Sequence, residues 1–213
     1  MTKVAGKKMG AISTEEPIVD AEFEDIPQVE ENTDTSLGRY VKVWDQALPE
    51  KYCKKMIEMY SGAGEFQLVR TDQGSFVSLN IERSDDFTKI SDTQKNIIEA
   101  TLPVYAEAVQ PDSSAFPEQS SIEDIHMYHF RNENDFKEMG HDIIHFAQAR
   151  RYLAMYWFLS EDPDFYLQFG TFGAKVESKV GRLVMFPSSW TYPYQIVNSD
   201  KQNFLIKTHL NFM

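Results

Sequence analysis

The sequence predicts a mainly β domain, a sheet sandwich or barrel carrying two helices on its outside. Three observations lead there. From Ile122 to the end, apolar and aromatic segments of about five to ten residues alternate with turn residues, and no helix-length amphipathic segment interrupts them. The two segments with helical periodicity both precede that run. The 15 Phe and 10 Tyr, with many Val and Ile, tilt the composition toward strands.

The folded part is expected to begin near Leu37. RYVKVWDQALPEKYCKKMIEMYSG reads as a strand over residues 40–44, a turn, and a helix. Pro49 suits the first helical turn, where its missing N–H costs nothing. Cys53, Met56, Ile57 and Tyr60 then fall on one face, and Gly62 and Gly64 end the helix. A strand pair follows over residues 66–70 and 75–81, joined through DQG. The second helix is expected over residues 91–109, capped by Ser91 and kinked at Pro103. PDSSAFPEQSS is a loop by composition. The expected strands after it are IEDIHMYHFR, RRYLAMYWFLS, FYLQFGTF, AKVESKV, GRLVMFP, WTYPYQIV and NFLIKTHLNF.

At 213 residues the chain can bury the core of one domain and still carry an appendage. Its net charge of −12 argues against a general nucleic-acid binder and leaves proteins or small molecules as partners. No apolar run approaches the ~18 residues of a membrane span, and MTKVAGKKMG lacks the apolar stretch of a signal peptide. The single cysteine, Cys53, has no partner for an internal disulfide, which points to a reducing cytoplasm.

The charge is concentrated at one end. Residues 1–34 hold nine acidic and three basic residues, half of the net charge of the chain. In TEEPIVDAEFEDIPQVEENTDT, acids alternate with single apolar residues, and self-repulsion keeps such a segment from folding alone. Residues 1–36 are therefore either a solvated tail or a docking arm whose Ile18, Phe23 and Ile26 enter a partner's groove, and residues 37–213 are the domain. If the arm docks, a chain lacking residues 1–36 loses a partner in a pull-down; a truncate that keeps every partner excludes it.

EMGHDIIHFAQARR places His141 and His145 four residues apart, imitating the H-E-x-x-H of zinc proteases. That motif needs a helix, a glutamate base and a third ligand. Here the acid is Asp142, Gly140 precedes the pair, and the context is strand-rich, so the histidines are loop residues or parts of a shifted metal site. His126 and His129 lie on opposite faces of an extended strand and cannot share a metal from there. His209, in THLNFM, reads as a packed histidine, and Arg151 as a structural hydrogen-bond donor. Phe186, Trp190, Tyr192 and Tyr194 are barrel core and rim, or the mouth of an apolar pocket.

GRLVMFPSSWTYPYQ resembles the late barrel strands of the 2-oxoglutarate and Fe(II)-dependent oxygenases, in the prolyl 4-hydroxylase-like branch and particularly its phage-encoded members. VKVWDQALPEKYCKKMIEMY is similar to that family's opening strand, turn and helix. RRYLAMYWFLSED and GAKVESKVGRLVMFP are similar to its central strand and the hairpin that follows. The resemblance spans about residues 39–213. The fold it implies is a double-stranded β-helix, a jelly-roll of two facing antiparallel sheets with flanking helices, here two N-terminal ones.

Members of the family bind iron through a His-x-Asp pair and a distal His, leaving three positions open for 2-oxoglutarate and oxygen. A basic residue of the last strands grips the far carboxylate of 2-oxoglutarate, often helped by a tyrosine hydroxyl. With Phe130, Phe136 and Arg151 as fixed points, the first His falls on Gly140 and the Asp on Asp142, with His141 between them pointing to the opposite face. The distal His falls on Tyr194 and the basic residue on Asn203. Lys207 shares the face of Asn203, two residue pairs further along. The tyrosine position is Phe130, and the glycines after the central strand give way to the neighbourhood of Asp164 and Phe165.

A lone carboxylate has little hold on Fe(II), and a tyrosine of reference pKa ~10 is a costly phenolate ligand at neutral pH. A 2-oxoglutarate carboxylate without its cation would be buried unpaired. The resemblance, with these departures, implies a pseudoenzyme without cofactor. Such a protein would be a binding or structural component with proteins as partners, such as other virion or assembly components, in a phage particle or the cytoplasm of an infected cell. The alternative it leaves open is an atypical hydroxylase of a peptide or small molecule, with Asp142 and His141 or His145 on Fe(II) and Lys207 on 2-oxoglutarate.

Overall fold

The computed structural model describes residues 37–62, 67–71, 74–83, 87–109 and 116–213. The acidic arm with Ile18, Phe23 and Ile26 lies outside these residues, as do Gly64 and Phe66. After a 3₁₀ turn over Leu37–Tyr40, β1 (Lys42–Trp44) leads to α1 (Glu50–Tyr60), the hairpin β2 (Gln67–Thr71) and β3 (Gly74–Asn80), and α2 (Thr88–Val109). Then come β4 (Ser120–Ile122), β5 (His126–Phe130), β6 (Phe136–Gly140), β7 (Arg151–Phe158), β8 (Tyr166–Phe169), β9 (Lys175–Glu177), β10 (Leu183–Pro187), β11 (Tyr194–Val197) and β12 (Asn203–Phe212).

The strands form a 12-stranded antiparallel sheet in the order β1-β10-β7-β12-β5-β3-β6-β11-β8-β9, with β2 on β3 and β4 on β12. Strand β7, RYLAMYWF, shows why the sheet folds over. Its last six residues are all buried, so both of its faces must be covered. Leu153, Met155 and Trp157 face α1 and α2, where they meet Cys53, Met56 and Tyr60 of one helix and Ile90, Ile98 and Tyr105 of the other. Ala154, Tyr156 and Phe158 point the opposite way, into a second core shared with Leu167 and Phe169 of β8 and Tyr194 and Ile196 of β11. Tyr156 and Tyr194 have ring centroids 5.5 Å apart, and Phe169 and Phe186 lie at 4.9 Å. Strands β7 and β11 are separated by four others along the sheet, so only a sheet curled into two facing layers brings these rings together. This is the double-stranded β-helix expected from the sequence.

Local differences from expectation have identifiable causes. Helix α2 starts at Thr88, so Ser91 is buried inside it instead of capping it; the buried Phe87 and Ile90 give that extra turn a core face. The helix continues through Pro103 as one element. Pro49 occupies the position just before the first residue of α1, and Ile57 is only partly buried on a face held by Cys53, Met56 and Tyr60. Burial pushes the Cys53 thiol up to about 11, which leaves it an inert packing group. Ser120 and Ser121, expected in a loop, pair with β12. Strand β6, FKEMG, reverses hydropathy: Phe136 is exposed and Lys137 is buried, so no period-two pattern announces it.

One turn requires its glycine. Gly181 has φ +75°, and a Cβ there would lie 2.1 Å from the carbonyl oxygen of Leu48. Its own carbonyl accepts the Leu48 N–H at 3.1 Å, which docks the entrance of α1 on the turn before β10. Among the described residues, no helix is long and apolar enough to cross a membrane.

Candidate functional site

Strand β6 ends at Gly140 and β11 begins at Tyr194, and the two residues are register partners. Two residues beyond the end of β6, the buried Asp142 turns its carboxylate into the space beside them. The Tyr194 hydroxyl donates to Asp142 Oδ1 at 2.7 Å. From β12, Lys207 Nζ donates to the same oxygen at 2.8 Å and lies 3.3 Å from the Tyr194 hydroxyl. The hydroxyls of Tyr194 and Tyr156 also share a hydrogen bond.

Two residues after Lys207, His209 projects from the same face of β12. Its Nε2 is 3.0 Å from Asp142 Oδ2, but neither atom has an aligned hydrogen-bond partner. Its Nδ1 is 3.3 Å from Glu123 Oε2. Glu123 is gripped by Arg151, whose Nε donates to both carboxylate oxygens at 2.8 and 2.9 Å, and Arg151 Nη1 donates to the Asp142 backbone carbonyl at 2.8 Å. Lys207, Asp142, His209, Glu123 and Arg151 therefore form one continuous polar line across the barrel mouth, tying the end of β6 to β12 and β7. The line borders a cavity of about 570 Å³ that His126, Tyr128, Lys137, His141 and Gln148 also line.

The charges set one another's proton affinities. Burial alone would raise the Asp142 carboxyl, but the Lys207 ammonium and His209 hold it well below the usual carboxylate range. Burial would likewise lower Lys207, yet Asp142 drives it above the ordinary amine value. Burial raises the Tyr194 phenol well above 10, and the Asp142 charge adds to this, so Tyr194 stays a proton donor. The Glu123 carboxyl is lowered by His209 and Arg151 against the effect of its burial.

The residues singled out from the sequence separate into three groups. Gly140, Asp142, Tyr194 and Lys207 come together at the barrel mouth. Strand geometry ends at Gly140, so His141 is not turned to the opposite face by alternation. It lines the cavity wall with its Nδ1 accepting the Ile143 N–H at 3.3 Å. His145 is exposed and precedes a short 3₁₀ turn, its N–H bonded to Gln148 Oε1 at 3.1 Å. Asn203 and Phe130 are register partners deeper in the barrel. Asn203 donates to Asn198 Oδ1 at 3.0 Å and accepts from Ser160 at 2.9 Å, in a polar cluster apart from the cavity. Phe130 lies between Phe76 and Phe165 at 5.5 and 5.4 Å.

His126 lines the cavity while His129 stacks on Phe204 at 4.3 Å on the opposite face. Trp190 is 75% exposed, whereas Phe186, Tyr192 and Tyr194 are buried. His209, expected to be merely packed, is part of the polar line, and sequence reasoning also missed Glu123, Lys137 and Tyr156. A signal existed for His209, because residues 203, 205, 207 and 209 share a face by the strand period of two. None existed for Glu123 or Lys137, which sit among exposed charges.

No family model and no curated protein matches the sequence. Solved structures do match the fold. The viral collagen prolyl hydroxylase of Paramecium bursaria Chlorella virus-1, in its 2-oxoglutarate complex, aligns with TM-score 0.60 over 83% of this chain and 98% of its own, at 12% identity. This chain has the prolyl-hydroxylase fold. A Pseudomonas putida prolyl-4-hydroxylase aligns at TM-score 0.59 and 12% identity over 81% of this chain and 92% of its own. The non-heme α-ketoglutarate-dependent epimerase SnoN of nogalamycin biosynthesis aligns at TM-score 0.58 and 14% identity, over 83% and 81%. At these identities the likeness is one of fold.

The prolyl-hydroxylase fold raises the question of Fe(II), and the residues present do not fit it. Gly140 offers no side chain, and Tyr194 holds its proton against Asp142. The Lys207 ammonium puts a fixed positive charge 2.8 Å from Asp142 Oδ1. Along this polar line only Asp142 Oδ2 and His209 Nε2 are left without aligned partners, two donors where the family's iron needs three. Among the described residues, no three His, Cys, Asp or Glu side chains are placed to hold a metal ion.

Proposed function

We propose that this chain is a non-catalytic binding protein built on the prolyl-hydroxylase fold, its barrel site closed by its own lysine. The observation that carries this proposal is the Lys207 ammonium 2.8 Å from Asp142 Oδ1. A carboxylate that binds a catalytic metal must present free lone pairs to it. Here Oδ1 accepts from both Lys207 and Tyr194, and Oδ2 faces the His209 imidazole at 3.0 Å with the Lys207 charge beside it, which disfavours a second cation. Proteins are the partners proposed. A setting in a phage particle or in the cytoplasm of an infected cell rests on the resemblance to phage-encoded members, and the arm of residues 1–36 is the proposed docking element.

Anaerobic titration with Fe(II) and 2-oxoglutarate tests the proposal, because working oxygenases of this fold give a weak visible charge-transfer band. No band is expected here. A band that forms at micromolar Fe(II) and disappears in Asp142→Ala would establish the atypical hydroxylase instead.

A further inference from the structure

Three cations and three acids line the cavity, and among the described residues one of those cations has no carboxylate beside it. Asp142 is paired with Lys207 and Glu123 with Arg151. Asp124, at the rim, accepts from Asn80 at 2.7 Å and lies 3.7 Å from Arg83. Lys137 is left over. Its side chain runs inward from β6 and is only 9% exposed. Its Nζ is 3.3 Å from the backbone carbonyls of Glu138 and Tyr194 and 3.9 Å from the centre of the Tyr194 ring. These partners are all neutral, and 3.3 Å is long for an ammonium donor. Glu138 contributes its carbonyl and not its carboxylate. Burial brings the Lys137 amine down to about 8, with Lys207 acting the same way and Asp142 opposing them. A buried ammonium without an adjacent carboxylate is an expensive arrangement, and such groups in clefts concentrate at functional sites.

We propose that Lys137 anchors a small monocarboxylate in this cavity, its ammonium pairing with the carboxylate of the ligand. A single ammonium whose partners are all neutral suits a ligand with a single negative charge. The wall that Lys137 shares with Tyr128, His141 and Gln148 offers further hydrogen-bonding groups to the ligand. Its position on β6 sets this anchor apart from the last-strand position of Asn203, where the resemblance places the co-substrate cation. The inference rests on the binding role proposed above and names a ligand class for the same cavity.

Saturation-transfer NMR of the metal-free, full-length protein with propionate tests this, at constant ionic strength and with propionamide as the uncharged control. Saturable binding of propionate and none of propionamide is expected. Lys137→Arg should keep the binding, while Lys137→Met and Lys137→Gln should each weaken it by about tenfold or more, the loss of one charge-assisted hydrogen bond. Equal signals from the two probes, no binding of propionate, or unchanged binding in whichever neutral variant folds would each overturn the inference. The titration contains no iron, so the two proposals fail separately. If propionate does not bind and the Fe(II) band is also absent, only the monocarboxylate site falls.

Discussion

Lys207→Met is expected to destabilise the protein by about 3–5 kcal/mol, the range for removing one partner of a buried ion pair. For a chain of this size that is a fall of roughly 10 °C in melting temperature, at ~2–4 °C per kcal/mol. The cost does not come from losing attraction alone. Asp142 is buried, and without the ammonium it keeps a charge in a site that water reaches poorly, with Tyr194 as its one well-aligned side-chain donor. Removing both charges should be far milder, because Asp142→Leu with Lys207→Met leaves no orphaned ion. Differential scanning calorimetry of the single and double variants measures this directly. A single variant within a degree or two of wild type would mean that the pair contributes nothing, and the closed-site proposal would lose its physical basis.

Acid should unfold the protein sooner than its net charge suggests. Asp142 and Glu123 both have carboxyls held below their unfolded values, by Lys207 with His209 and by His209 with Arg151. A depressed carboxyl stabilises the fold fully above its unfolded pKa, about 4, and that stability is lost as pH falls through the folded value. Burial holds His126 and His129 below the ordinary imidazole value, so stability is expected to decline gently once pH drops below about 6.5 and to fall steeply below about pH 4. Lys207 has a raised value, so its share is complete throughout this range and is lost only in strong alkali. Lys137 acts in the other direction. Its amine is lowered to about 8, so the cost of burying its charge is relieved as pH rises from there toward the ordinary amine value. Urea midpoints across pH 3–9 give the profile. In Lys207→Met the acid limb should move to higher pH, because Asp142 no longer has the cation that holds its proton affinity down. An acid limb at the wild-type position in that variant would contradict the coupling.

The barrel strands could be anticipated because their signal is local. RYLAMYWFLS and NFLIKTHLNF place apolar side chains on both faces of an extended chain, and only a central strand covered on two sides satisfies that pattern. The same alternation placed Lys207 on the face of Asn203. The pairing of Gly140 with Tyr194 is a register between distant strands, and no local pattern announces it. It was not possible to anticipate β6 itself, because its inward residue is Lys137 and its outward residue Phe136.

The sequence by itself determined the fold class, the two helices and the absence of imidazole at positions 140 and 194. These follow from side-chain type and from periods of two and 3.6 residues, which neighbours along the chain already fix. Only the tertiary structure decided what stands beside Asp142. Lys207 and His209 are more than sixty residues away along the chain, and Glu123 and Arg151 meet each other and the Asp142 loop only once β7 and β12 have paired. Whether a buried carboxylate awaits a metal or is already neutralised depends on distances across the barrel, and no local pattern records those.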